Sequence, residues 1–272
     1  MAPPAQYLIN GEKDAGLSPL DRGVAYGDGV FRTLRISQGT PVDWSLHYNK
    51  LAHDCSALGI ACPTQSSLLA DIERLCSSHP ELVAKIMVTR GPGSRGYSTS
   101  SSASPTRIVM VEPYPDYPDI NYAEGVSLHL CRLRLSHQPL LAGIKHLNRL
   151  ENVLARSEWT DSRFADGLLL DQEDLVIECT MSNIIARFGT ILVTPALDQC
   201  GVAGVTRQRI LDNADHMGYY AEVRPLTLIQ LIQADEVIIC NSLFGAWQVR
   251  SFNNCEWTRQ DLAVHIRSML QE

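Results

Sequence analysis

The sequence predicts an α+β fold in two lobes, and three observations carry that prediction. Before residue 113, strand-like runs flank two amphipathic helical runs; a proline-rich stretch follows at 114–122; and beyond it come short strand-like runs joined by turns. We therefore divide the chain into a smaller N-terminal α/β lobe at 1–113, a connector at 114–122 and a larger C-terminal lobe at 123–272.

In the first lobe, "YLING" reads as a short strand with a turn, and "VFRTLRI" (30–36) alternates as a half-buried strand does. In "DWSLHYNKLAHDCSALG", Trp44, Tyr48, Leu51, Cys55 and Leu58 recur at helical spacing. Asp43 caps the start, Gly59 ends the helix, and His47, Lys50 and Asp54 lie on its other face. A second helix covers 66–76, followed by the strands "VAKIMVTR" (83–90) and "RIVMVEP" (107–113).

The connector "VEPYPDYPDINY" (111–122) holds three prolines and three tyrosines, and its prolines favour an extended path. Beyond it, "VSLHLCRL" alternates as a strand, and 167–171, 175–178, 183–187 and 190–194 read as short strands. Helices are expected at 147–158, 205–217, 227–233 and 258–270, with "EVIIC" (236–240) a buried strand.

The 272 residues suffice for sizeable cores, and the net charge of -7 argues against a nucleic-acid partner. The N-terminus "MAPPAQYLING" lacks a basic start and an apolar signal core, and no run approaches about 18 apolar residues. A soluble cytoplasmic protein without membrane contact is expected. The eight cysteines form no CxxC pair and have no companion HxxxH, so they read as reduced core residues, with no metal site.

The run "GPGSRG" (91–96) matches G-x-G-x-x-G after a strand, but "YSTSSSASPTR" follows where a dinucleotide fold needs a helix. Residues 90–107 therefore read as a long hairpin loop carrying Arg90, Arg95 and Arg107 beside Tyr97. Such a loop either binds a carboxylate through paired hydrogen bonds or is a solvated surface segment. No GxxxxGK or GxSxG is present, which removes the basis for nucleotide hydrolysis or esterase chemistry.

"LLAGIKHLNRLENVLAR" (140–156) is apolar up to Ile144, breaks at Lys145, and resumes with Leu147, Leu150, Glu151 and Leu154 on one helical face. Asn148 and Arg149 lie beside that face. A partly desolvated lysine offers a neutral amine, as Schiff-base chemistry requires; the alternative is a surface lysine at a helix start. If the lysine serves pyridoxal phosphate, the cofactor also needs an acid partner, a phosphate cradle and a substrate anchor. Glu178 in "VIECTMSNII" is either that acid or a carboxylate in an ordinary salt bridge. In "CGVAGVTRQRIL", the amides of Val205 and Thr206 and the Thr206 hydroxyl sit where a helix start receives phosphate, or where a helix is simply capped.

Taken together, "GDGVFRT" (27–33), "RGPGSRGYST" (90–99), "AGIKHLNRLENVLAR", "ECTMSN" (178–183), "GVAGVTR" (201–207) and "ADEVIICNSL" (234–243) resemble the aminodeoxychorismate lyase group of the fold-type IV pyridoxal-phosphate enzymes. That family also holds the branched-chain and D-amino-acid aminotransferases. The resemblance runs in constant order from about residue 7 to the end. Glu178, Thr180, Asn183, Thr194, Gly204 and Arg207 satisfy the general family signature, and "KHLNRLE" resembles the lyases rather than the aminotransferases.

The resemblance implies a D-amino-acid-aminotransferase-like fold with a β-barrel-like core in the cofactor-binding C-terminal lobe, and a homodimer. It implies pyridoxal 5'-phosphate carried by Lys145, which also acts as the base. Glu178 faces the pyridine nitrogen, and Lys50, Val205, Thr206 and Asn241 complete the cofactor site. A small anionic substrate is met by Arg95, Tyr97, Arg107 and Asn148. The implied reaction converts 4-amino-4-deoxychorismate to 4-aminobenzoate and pyruvate, with amino transfer as the alternative. The chain departs from the family at Ile185, where an aromatic residue is common, and at Lys50, where an arginine usually stands.

Overall fold

The computed structural model describes residues 6–76, 80–99 and 104–271. Two compact units emerge: one runs to Asp116 and takes in Ile144–Asn148, the other comprises Tyr117–Gly143 and Arg149 onward.

The first unit contains β1 (Gln6–Ile9), α1 (Arg22–Tyr26), β2 (Gly29–Ser37), β3 (Thr40–Pro41), α2 (Trp44–Ala57), α3 (Gln65–Leu75), β4 (Glu81–Thr89) and β5 (Thr106–Pro113). Its antiparallel sheet has the order β1-β5-β4-β2-β3. Leu34, Ile36, Ile86 and Val109 from the strands pack with Leu51, Cys55, Leu68 and Ile72 from α2 and α3. As the hairpin reading expects, β4 and β5 pair through Thr89 and Thr106, and residues 100–103 of that loop lie outside the described ones.

Two local expectations for this unit fail. Asp43 does not cap α2; it adopts a left-handed φ of 54° and makes no side-chain capping bond. The supposed outer face of α2 also turns inward, because His47 and Asp54 are buried alongside Leu51 and Cys55.

The second unit contains α4 (Asp119–Ala123), β6 (Val126–Leu135), α5 (Leu150–Arg156), β7 (Phe164–Asp171), β8 (Val176–Cys179), β9 (Asn183–Phe188), β10 (Ile191–Thr194), α6 (Val205–Asp212), β11 (Tyr220–Val223), α7 (Leu228–Ile232), β12 (Glu236–Asn241), β13 (Gly245–Phe252), β14 (Cys255–Glu256) and α8 (Leu262–Gln271). A nine-stranded mixed sheet in the order β11-β10-β9-β12-β13-β6-β7-β8, with β14 beside β13, curls into a half-barrel. One core gathers Trp247, Phe252, Val249, Ile239 and Leu168. Another packs Ile185, Leu192 and Ile238 against Ile210 of α6 and Ile266 of α8.

The proline-rich connector contains α4, which begins directly after its last proline, where the ring no longer obstructs a helix. The run 140–144 is not a strand: it turns and passes through Gly143 at φ 73°. α5 starts only at Leu150, since the residues before it extend along β2 and spend their backbone groups there.

Candidate active site

Lys145 is positioned by its main chain. Its carbonyl accepts from the Phe31 amide at 2.9 Å, the Leu147 amide donates to the Gly29 carbonyl at 2.9 Å, and His146 bridges to Val30. The segment is thus a short extension of the first unit's sheet. The Lys145 Nζ lies 4.7 Å from the centre of the Phe31 ring, a cation–π contact that orients the side chain.

Beneath it sits Asp54, fully buried, which accepts the Lys145 amide at 3.1 Å and forms ion pairs with Lys50 and Arg32. Arg32 belongs to the inward row of β2 with Val30, Leu34 and Ile36, so its charge requires a buried partner. Burial lowers the Arg32 guanidinium to about 10. Burial, then the positive charges of Arg32 and Lys145, lowers the Lys50 ammonium to about 7. Burial and the same two neighbours hold the His47 imidazole down at about 3. The surroundings of Lys145 are therefore crowded with basic groups and compensated by one carboxylate.

In the second unit, Glu178 on β8 is buried and accepts the Val202 amide at 2.9 Å. Arg149 and Arg207 supply favourable positive charge toward it. Gly201, at φ 85°, lets the loop approach this closely: a Cβ there would come within 2.7 Å of Ile177 and 2.8 Å of Leu197.

Asn183 fastens the same loop at Val202 and Gly204, donating to the Val202 carbonyl at 2.8 Å and accepting the Gly204 amide at 3.1 Å. Arg207 donates to Thr194 Oγ1 at 3.0 Å and to the Pro195 carbonyl at 3.0 Å. The signature residues thus brace the start of α6, where Gly204 occupies the N-cap without a capping side chain. Thr206 is buried, with its hydroxyl 3.2 Å from the Ser242 hydroxyl. A helix start with two hydroxyls and no acidic residue in its first turn fits a phosphate group.

The family described as amino-transferase class IV matches residues 29–252 of this sequence. The chain belongs to that family. Among class IV relatives, it is 36% identical over 239 residues to an aminodeoxychorismate lyase of Vibrio harveyi, covering 88% of each chain. It is 30% identical to a putative branched-chain-amino-acid aminotransferase of Methanocaldococcus jannaschii over 84% of this chain and 80% of the relative. The crystal structure of 4-amino-4-deoxychorismate lyase from Pseudomonas aeruginosa superposes with a TM-score of 0.93 at 43% identity, covering 97% of this chain and 98% of that one.

The remaining class IV site residues expected from sequence fall into three groups. Arg95 and Tyr97 stand exposed on the β4–β5 loop; Arg22 holds that loop by donating to the Gly96 and Tyr97 carbonyls, and the Tyr26 ring lies 5.3 Å from Tyr97. Arg107 is drawn elsewhere, with Nε donating to Asp71 at 2.5 Å, and Arg90 pairs with Asp28. Asn148 donates to the Gly27 carbonyl at 3.2 Å, and Asn241 braces a turn through the Leu243 and Phe244 amides.

Sequence reasoning missed Arg32, Ser242 and Asp166, and set Asp54 on the wrong face. Asp166 is buried on β7 and accepts from Thr180, Ser182 and the Gly167 amide, which shapes the turn after Glu178. A period-two reading of β2 places Arg32 in the same row as Val30, Leu34 and Ile36, and that signal was available.

Proposed function

We propose that the chain is a pyridoxal-phosphate-dependent carbon–oxygen lyase that converts 4-amino-4-deoxychorismate to 4-aminobenzoate and pyruvate, a step of folate biosynthesis. The carrying observation is the likeness to the Pseudomonas aeruginosa lyase over nearly the whole of both chains. The sequence "KHLNRLE" supports elimination over amino transfer.

When bound, the cofactor supplies an electron sink for the carbon that carries the substrate amino group. Lys145 would be its point of attachment and, with its amine free, would take the proton from that carbon. The Lys145 ammonium then returns the proton to the departing enolpyruvyl oxygen as the C–O bond breaks, and the ring is left aromatic. Glu178, supported by the Val202 amide, would keep the pyridine nitrogen protonated. Val205 and Thr206 would hold the phosphate at the start of α6, and Lys50 would add charge. Arg95 and Tyr97 meet the substrate carboxylates. The fit of these residues to the cofactor rests on the buried carboxylate and on the uncapped, hydroxyl-bearing helix start.

A cytoplasmic homodimer completes the reading, supported by the family resemblance and by eight free cysteines. Among the described residues no helix is long and apolar enough to cross a membrane.

Supplying aminodeoxychorismate is expected to yield 4-aminobenzoate and pyruvate in equal amounts, with Lys145→Ala losing at least about a hundredfold in rate and the lysine-dependent visible absorbance. A keto acid formed only when an amino acceptor is present would overturn the lyase reading in favour of the aminotransferase.

A further inference from the structure

Outside this site, the second unit brings together His137, Asp171 and Cys200, whose ligand atoms lie within 4.8 Å of one another. Their separation in sequence hides the cluster from any motif: His137 and Asp171 alone are 34 residues apart. The residues come from the segment after β6, the end of β7 and the loop before α6, and the fold converges them by pairing the Gln138 amide with the Gln199 carbonyl at 2.8 Å.

We infer that His137, Asp171 and Cys200 form a binding site for a zinc-type divalent cation. Imidazole, carboxylate and thiolate are the donor types that such an ion takes, and three protein ligands leave one tetrahedral position for water. Asp171 is oriented in advance: its Oδ1 accepts the Glu173 and Leu175 amides at 2.9 Å each, which leaves Oδ2 facing His137 Nε2 at 3.0 Å. Cys200 and Asp171 are buried, while His137 is partly exposed and keeps a route to solvent.

The surrounding charge has the sign a cation requires. Asp171, Glu178, Glu151 and Asp198 all set negative charge around Cys200. That field attracts a divalent ion, which takes Cys200 as its thiolate.

The site also has a mechanical consequence. Cys200 directly precedes Gly201 and Val202, so a bound cation ties the loop that delivers an amide to Glu178 onto the end of β7. The inference stands apart from the lyase reading and does not depend on it.

The test is equilibrium dialysis of the chelator-treated, cofactor-saturated protein against Zn2+, together with zinc-edge X-ray absorption of the wild type. The expected result is one retained Zn2+ per chain with a single sulfur ligand and at least one imidazole, and a raised thermal midpoint. Affinity falls at least about tenfold in His137→Ala and in Cys200→Ser, and is unchanged in Cys255→Ser. Absence of retained zinc, a coordination shell without sulfur, or equal retention by the wild type and both site variants would overturn it. The absorption measurement needs no variant and decides the matter even if a variant fails to fold.

Discussion

At the scale of single residues, Asp54 organises the surroundings of Lys145. One buried carboxylate receives the Lys145 main chain, the Lys50 ammonium and the Arg32 guanidinium. Removing it strands two cations in a poorly hydrated place, so Asp54→Ala is expected to destabilise the protein by about 3–5 kcal/mol, measured by urea unfolding. The triple change Arg32→Met, Lys50→Met and Asp54→Leu removes both cations with their countercharge and is expected to cost much less. Lys50 supplies a pH effect whose sign follows from its lowered value of about 7. On the proposal that Lys50 meets the cofactor phosphate, cofactor affinity is expected to fall as pH rises from 7 to 9 and the Lys50 proton is lost. Lys50→Arg keeps its charge and is expected to flatten that dependence, read as cofactor Kd against pH.

Among the elements, α6 shows what a glycine at a helix start permits. A Cβ on Gly204 would fall 2.2 Å from Asn183 Oδ1, so Gly204→Ala must displace Asn183 from both the Gly204 amide and the Val202 carbonyl. The expected outcome is a loss of about 1–3 kcal/mol in unfolding free energy together with weaker cofactor binding, followed by denaturation and fluorescence titration. The β4–β5 loop makes a different prediction. Arg95 is exposed and forms no ion pair among the described residues, so Arg95→Ala is expected to raise KM for the dicarboxylate substrate more than it lowers kcat, with stability unchanged.

Over the whole molecule, burial distributes the eight cysteines through the cores without pairing any of them. Adding a reductant is therefore expected to leave the thermal midpoint unmoved; a fall would reveal a disulfide. Most strands and helices were legible in hydrophobic period, because each must present one apolar face to a core. The family was legible in short motifs around Lys145, Glu178 and Gly204. Other features were not: α4 hid behind prolines that stop just before it, and α1 (Arg22–Tyr26) is too short to show a period. Asn241 and Arg107 were read as site residues, but folding commits their polar groups to a turn and to Asp71.

By itself, then, the sequence determined the α+β class, most of the strands and helices, and the lysine and carboxylate on which the proposed chemistry turns. Only the tertiary structure decided that Lys145 hangs from the edge of β2, that Arg32 and Asp54 are paired inside a core, and that His137, Asp171 and Cys200 meet. Period and motif report what neighbours in sequence do together. Charge pairing and ligand clustering depend on groups far apart along the chain, and these come within reach only when burial leaves each polar group to find its partner across the fold.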